Sequence, residues 1–136
     1  MKKYLLDTNI CIYFLKGLYD LDKKIEKADV ANCFISEITI AELKFGAEAS
    51  ENHEKNRITI NEFVKKFTVI PIFNSLDVYA REKSRLKKKG LPLDDFDLLI
   101  GATSIANNLT LVTRNVSDFQ RLEGIKIENW VDDVRL

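Results

Sequence analysis

Short, nearly unbroken apolar runs alternate along the chain with longer stretches in which apolar residues recur every three or four positions. Runs of the first kind predict strands buried on both faces, and stretches of the second kind predict helices. Residues 3–6 form such a run, and Asp7, Thr8 and Asn9 behind it are suited to capping a helix over 10–16 that Gly17 stops. Residues 20–27 read as a short polar helix and 32–35 as a second strand. Ser36 then caps a helix marked by Ile38, Ala41, Leu43, Phe45 and Ala49, with Glu42 in its second turn. A further helix is predicted over 53–67. Residues 69–73 are β-branched and aromatic with Pro71 among them, which predicts a strand at an edge or a strand end. Ser75 is expected to cap a helix reaching about residue 89, closed by Gly90 and Pro92. Asp94 and Asp95 precede Leu98, Leu99, Ile100, Ala102, Ile105 and Ala106, a helix apolar nearly all round and therefore buried. Asn107 and Asn108 end it. Residues 109–113 make another strand, 115–119 a polar turn and 125–127 a last strand, with Trp130 and Val131 packing behind it.

Strand and helix thus alternate from end to end, the pattern of an α/β fold whose parallel sheet is covered on both faces. Ligands of such sheets sit at the carboxyl ends of the strands, so Asp7 and the 115–118 turn are expected on one rim. The 136 residues fall within the roughly 100–200 of one domain, and no repeat, linker or low-complexity stretch divides them. Residues 1–136 therefore read as a single domain, large enough to fold without disulfides or a structural metal.

The 21 Lys+Arg and 21 Asp+Glu cancel, which argues against binding polyanions by bulk charge while leaving local segregation of the two signs open. The single histidine, His53, excludes a two-histidine acid/base pair. Together with only two cysteines, Cys11 and Cys33, it also excludes the usual zinc sites. Two cysteines without a denser framework suggest free thiols in a reducing compartment. Asp7 breaks the first apolar stretch well short of the ~7–15 residues of a signal peptide, and no run approaches the ~18 residues of a membrane span. A cytoplasmic protein with no membrane segment is expected.

Chemistry must then rest on carboxylates, and four stand out by placement. Asp7 and Asp118 each follow a buried strand, Glu42 lies in an otherwise apolar helix, and Asp97 occupies the first turn of the most apolar helix. Each also has a plain structural use. Asp7 can cap a helix, Asp97 can meet a helix dipole, Glu42 can pair with Lys44 or Lys65, and Asp118 can form a turn. Their convergence from separate segments argues for more, because a group of buried carboxylates calls for a divalent cation. Oxygen-only donors favour Mg²⁺ or Mn²⁺. Such a cation allows phosphodiester hydrolysis without histidine.

Four blocks in this order carry a family resemblance: Leu5-Leu6-Asp7-Thr8-Asn9; Ser36-Glu37-Ile38-Thr39-Ile40-Ala41-Glu42-Leu43 with Gly46; Asp97-Leu98-Leu99-Ile100-Gly101-Ala102; and Leu111-Val112-Thr113-Arg114-Asn115 with Asp118-Phe119. Together they resemble the motifs of PIN-domain ribonucleases, in particular the VapC toxins of bacterial VapBC toxin–antitoxin pairs, over nearly the whole chain. The resemblance implies a three-layer α/β/α fold with a central parallel sheet and a Mg²⁺- or Mn²⁺-dependent endoribonuclease. It makes Asp7 and Asp97 the principal metal ligands, with Glu42 and Asp118 completing the pocket directly or through water. Thr8, Thr113 and Asn115 would support them. It further implies a cognate VapB-type antitoxin lying in a groove beside the site, and a homodimer. Two positions depart from the family pattern: Gly101 replaces the first of a usual alanine pair, and Asn115 stands where some relatives carry Asp.

The helix over 75–89 gathers Arg81, Lys83, Arg85, Lys87, Lys88 and Lys89, which is either a solvated face or a phosphate track for RNA. Arg114, next to the expected site, is the stronger single candidate for an RNA backbone contact. Ile12, Tyr13 and Phe14 in the first helix either line the partner groove or belong to the core. Competing readings fare worse. A haloacid-dehalogenase-type phosphatase needs an Asp two residues after Asp7, where Asn9 stands. A receiver-type module lacks its acidic pair and late lysine. The alternative from another class is a non-catalytic PIN-like module that binds RNA or protein.

Overall fold

In the computed structural model, which describes residues 1–132, the apolar runs pair into one parallel sheet. Its strands are β1 (Tyr4–Leu6), β2 (Cys33–Ser36), β3 (Thr68–Ile70), β4 (Thr110–Val112) and β5 (Lys126–Glu128), in the order β3-β2-β1-β4-β5. Neighbouring residues of a strand point to opposite faces, so each buried strand feeds two cores. Leu5 and Leu111 pack with Leu86, Leu98 and Ile100 on one face. Leu6, Val112 and Ile35 pack with Ile10, Leu21 and Phe63 on the other. The second core is closed by α1 (Thr8–Leu15), α2 (Leu21–Ala28), α3 (Glu37–Ala49) and α4 (His53–Val64). The first is closed by α5 (Leu76–Lys88), α6 (Asp95–Ala106) and α7 (Val116–Phe119). This is the expected three-layer α/β/α arrangement. Among the described residues no helix is long and apolar enough to cross a membrane, and Cys11 and Cys33 are buried and unbridged as expected.

The chain steps outward from β1 to β2 to β3 and then returns to the other side of β1 for β4 and β5. That reversal opens a crevice at the carboxyl ends of β1 and β4, the usual ligand position of such sheets. Gly101 brings the helix carrying Asp97 close to the segment that follows Asp118. A Cβ on Gly101 would meet Leu122 Cδ1 at 2.2 Å, so an alanine at this departure from the family pattern would have to turn the Leu122 side chain aside.

Several boundaries differ from the sequence expectation for local reasons. Helix α1 starts at Thr8 rather than residue 10 because the Asp7 carboxylate accepts the Thr8 N–H at 2.8 Å. Helix α6 starts at Asp95 because Asp94 caps Phe96. Strand β3 does lie at the edge, but it ends at Ile70, before Pro71, and the Ile72 N–H goes to Glu37 Oε1 instead of a ladder. Residues 116–119 wind into a helical turn rather than a loose one, anchored by fully buried Phe119. Ser75 does not cap α5. A 3₁₀ turn, Phe73–Ser75, leads into that helix, and the Ser75 Oγ is buried without a partner among the described residues.

Helix α5 is tied to the far end of the chain by one buried acid. Glu82, only 4% exposed, takes both Arg85 Nε and Nη2 and the Glu123 N–H, while Arg85 Nη2 also donates to the Arg121 carbonyl. Arg85 holds the Glu82 carboxyl below its ordinary range, so this contribution is present above that range and fades as pH falls through the lowered value. Glu82→Ala leaves a guanidinium and an N–H short of partners, at a cost of about 2–3 kcal/mol. Lys83→Ala breaks only exposed contacts, the pair with Asp95 and the hydrogen bond to Tyr79, and should cost less than ~1 kcal/mol. Urea unfolding of both variants at pH 7 checks this, and equal small losses would refute it.

Candidate active site

Asp7 extends β1 by one residue, its N–H reaching the Val112 carbonyl at 3.0 Å, so its side chain emerges between β1 and β4. It is 4% exposed. Its Oδ2 accepts from Thr113 Oγ1 at 2.8 Å and its Oδ1 from the Thr8 N–H. Burial pushes its pKa up, the two hydrogen bonds pull it back, and Glu42 adds a further upward push. The expected rim is therefore real, since the residue after β4 holds the residue after β1.

Glu42 reaches the same place from α3. Its Oε1 accepts from Thr8 Oγ1 at 2.8 Å, not from Lys44 or Lys65. The Thr8 hydroxyl also lies 3.0 Å from that of Thr39, which is fully buried. A hydroxyl carries one proton, and that of Thr8 goes to Glu42, so Thr39 is the donor to Thr8. Thr39 thus completes a relay of hydroxyls behind Glu42 and was missed from the sequence. The available signal was its position three residues before Glu42, which places the two on one helix face.

On the other side, Thr113 Oγ1 accepts the Asn115 N–H at 3.0 Å, and Asn115 Nδ2 donates to Asp118 Oδ2 at 3.0 Å. Asp118 is also paired with Arg121 at 3.3 Å. The three residues expected to support the acids each hold one: Thr8 holds Glu42, Thr113 holds Asp7, and Asn115 holds Asp118.

Asp97 differs from the rest. It is half-buried in the first turn of α6, and nothing that shifts its pKa is a hydrogen bond. Burial first, then the charges of Asp7, Asp94, Glu42 and Asp118, push it up to about 6. The four acids therefore share one field, with Asp97 the least compensated. As placed, they lie close enough to act on one another through charge without closing on a point. Among the described residues no three His, Cys, Asp or Glu side chains are gathered tightly enough to hold one ion.

The basic residues are distributed differently from the expectation. Arg114 is no free phosphate contact. Its Nε and Nη2 bind Asp132 at 3.2 and 3.3 Å, its Nη1 reaches the Tyr13 and Tyr19 hydroxyls at 3.5 and 3.3 Å, and the guanidinium lies over both rings. On α5, Lys83 is taken up by Asp95 and Tyr79, and Arg85 by Glu82. Lys87 and Lys88 are exposed in its last turn. Phe14 belongs to the core with Phe63 and Phe67, and Tyr13 packs against the same core with its hydroxyl on Arg114 rather than in the groove. A groove of about 370 Å³ between α1, α3 and α4, lined by Ile12, Leu15, Leu43, Gly46 and Ile60, opens beside Glu42. A cavity of about 480 Å³ lined by Tyr4, Lys24, Lys27 and Trp130 includes none of the four acids.

The PIN domain family matches residues 4–125. The chain is 35% identical over 133 residues to ribonuclease VapC2 of Rickettsia felis, covering 93% of this chain and 97% of that protein. It is 30% identical over 131 residues to the tRNA(fMet)-specific endonuclease VapC of Salmonella typhimurium, covering 96% and 99%. Among solved structures, DNA-bound VapBC from Salmonella typhimurium superposes with a TM-score of 0.89 at 30% identity, covering 96% of this chain and 99% of that one. VapBC2 from Rickettsia felis bound to a promoter DNA fragment superposes with a TM-score of 0.85 at 33% identity, covering 93% and 98%. The chain belongs to the PIN-domain family, within its VapC ribonucleases.

Proposed function

We propose that this chain, as a single PIN domain over residues 1–136, is a metal-dependent endoribonuclease of the cytoplasm and the toxin of a type II toxin–antitoxin pair. The observation that carries the reading is Asp97: a carboxylate half-buried among four others at the switch point of the sheet, with no hydrogen bond among the described residues to offset it. An all-oxygen donor set with excess negative charge suits Mg²⁺ or Mn²⁺. Asp7, Asp97 and Asp118 are the residues that would hold it. When bound, such a cation supplies a water of lowered pKa and neutralises charge on a phosphoryl group.

The rest is the work of side chains. Thr113 and Thr8 fix both oxygens of Asp7, so its orientation is set before any ligand arrives. The Thr39–Thr8 relay aims Glu42 and leaves its second oxygen free to take a proton from the attacking water. Asn115 and Arg121 steady Asp118. Lys87 and Lys88, about one helical turn beyond Lys83, offer sequence-independent attraction to the RNA backbone.

For partners, the likeness to solved VapBC structures supports a VapB-type antitoxin for this chain, and the apolar groove that opens beside Glu42 is the place where it would sit. A homodimer is also part of the reading. Phe73 in the 3₁₀ turn before α5 and Phe96 in α6, two elements that pack on each other, are both exposed apolar side chains that a second copy would cover. The alternative, a non-catalytic module that binds RNA or protein, draws on one observation, that no three acidic side chains among the described residues are tightly gathered.

Three measurements test this reading. With Mn²⁺ and structured RNAs, Asp7→Asn and Asp97→Asn should each lower cleavage by more than ~100-fold, since removing even an outer partner of a metal ligand costs about 10–100-fold. Cleavage that survives both substitutions sinks the nuclease reading in favour of the binding module.

The second concerns pH. In metal-free protein, Asp97 ionises against burial and like charge, so its contribution to stability is lost as pH rises from the ordinary Asp value to about 6. Asp97→Asn should therefore raise the metal-free Tm at pH 7.5 by roughly 3–6 °C, an effect of about 1 kcal/mol after solvent screening. Mn²⁺ should stabilise wild type more at pH 7.5 than at pH 5, and the variant hardly at all. Equal stabilisation of both proteins by Mn²⁺ counts against the assignment. In the third, reversing the charges of Lys87 and Lys88 should weaken RNA binding and flatten its salt slope by about 1–2. Unchanged affinity and slope would leave these lysines a solvated face.

A further inference from the structure

Tyr13, Tyr19 and Arg114 form a cluster that the acid pocket does not use. Tyr13 lies on α1, the helix whose first residue holds Glu42, and Tyr19 lies in the loop that follows. Arg114 stands between Thr113, which holds Asp7, and Asn115, which holds Asp118. The cluster is therefore built directly onto the rim of the acids.

Its geometry is over-determined. The two tyrosine rings meet edge to face at 5.1 Å and 78°, and the Arg114 guanidinium lies 5.9 and 5.5 Å from their centres. Both hydroxyls accept from Arg114 Nη1, and Asp132 clamps the opposite edge of the guanidinium through two further hydrogen bonds. These contacts hold a backbone that Tyr19 would not choose. Its φ is +60° and that of Asp20 is +53°, two successive left-handed residues without a glycine, in a region disfavoured for bulky side chains. Strain held in place beside an active site is a sign of use. Yet Tyr19 remains 40% exposed and Arg114 is exposed beside it.

The surface so presented is the exposed part of the Tyr19 ring with the Arg114 guanidinium beside it, whose positive charge is already matched by Asp132. A phosphate gains less there than at a free guanidinium, because four of the five N–H groups of Arg114 are already used and Asp132 matches its charge. An unpaired nucleobase finds what single-stranded RNA recognition uses, a ring or guanidinium plane on which to stack. We propose that Tyr13, Tyr19 and Arg114 form a stacking subsite for one unpaired base of the RNA beside the scissile phosphate, and that this subsite selects RNA with an unstacked base at that position. The proposal rests on the ribonuclease reading and adds a substrate feature to it.

The test is a cycle of protein and RNA changes on a hairpin RNA that wild type cleaves. Replacing Tyr19 with Leu removes the ring and should raise KM about 5- to 100-fold, with the loss falling on KM rather than kcat. Tyr19→Phe, which keeps the ring and loses only the hydroxyl, should restore most of it. Tyr19→Gly relieves the left-handed backbone, so its stability is not the limiting factor, and it should show the same KM defect as Tyr19→Leu. Hairpins carrying a single abasic ribose at each loop position in turn supply the other axis. At one position the abasic change should raise KM for wild type and have no further effect on Tyr19→Leu. Additive effects at every position, or an unchanged KM in both Tyr19→Leu and Tyr19→Gly, overturn the stacking subsite while leaving the nuclease reading intact. Wild type that cleaves no RNA overturns the nuclease reading instead. In that case the same cycle is read by anisotropy of a labelled hairpin, where unchanged affinity in Tyr19→Leu overturns the subsite as well.

Discussion

The hydrogen bond from Thr113 to Asp7 joins the ends of β1 and β4, and the organisation of the site follows from it. A carboxylate taken almost wholly out of water is costly unless its oxygens are met. Asp7 has both oxygens met, one by Thr113 and one by the N–H of Thr8. The first contact requires β4 to lie beside β1, which is also where the strand order reverses. The second starts α1 and so determines where Thr8 presents its hydroxyl to Glu42. One buried acid thus couples sheet topology, helix start and the placement of a second acid from α3.

Asp97 takes part in none of these hydrogen bonds, and that contrast is informative. Folding has satisfied Asp7 and, through Asn115 and Arg121, Asp118. At Asp97 it has concentrated an unmatched charge, since the first turn of α6 offers the favourable end of a helix dipole but no donor among the groups that shift its pKa. Satisfied carboxylates supply rigidity, while an unsatisfied one supplies attraction for a cation. A pocket that must be both well placed and receptive needs both kinds.

The order of strands and helices, and the four acids, were readable in the sequence because strand ends in a parallel sheet converge whatever the side chains do there. Placing Asp7 after one buried strand and Asp118 after another was enough to bring them to one rim. Side chains that act through a partner distant in sequence were not readable. Thr39 looks like any β-branched helix residue until Thr8 is folded against it, 31 residues away in sequence. Arg114 looked like a free cation because its partner Asp132 lies 18 residues on and its aromatic neighbours lie about a hundred residues back. Ser75 had the right identity for a cap, but the 3₁₀ turn ahead of it had already bent the backbone into helical geometry, leaving its hydroxyl nothing to cap.

The same distant pairings change what the neutral net charge means. It is not simply an acidic pocket balanced by a basic helix. Lys83 and Arg85, two of the cations on α5, are matched by Asp95 and Glu82, and Arg114 and Arg121 by Asp132 and Asp118. With these cations neutralised around the rim, long-range attraction for a polyanion is weak and falls mainly to exposed lysines such as Lys87 and Lys88. A nuclease built this way gains little from bulk charge and must discriminate by short-range contact. Neutralised guanidinium and tyrosine rings, which read the presence of an unstacked base rather than the density of phosphate, are the kind of contact that remains.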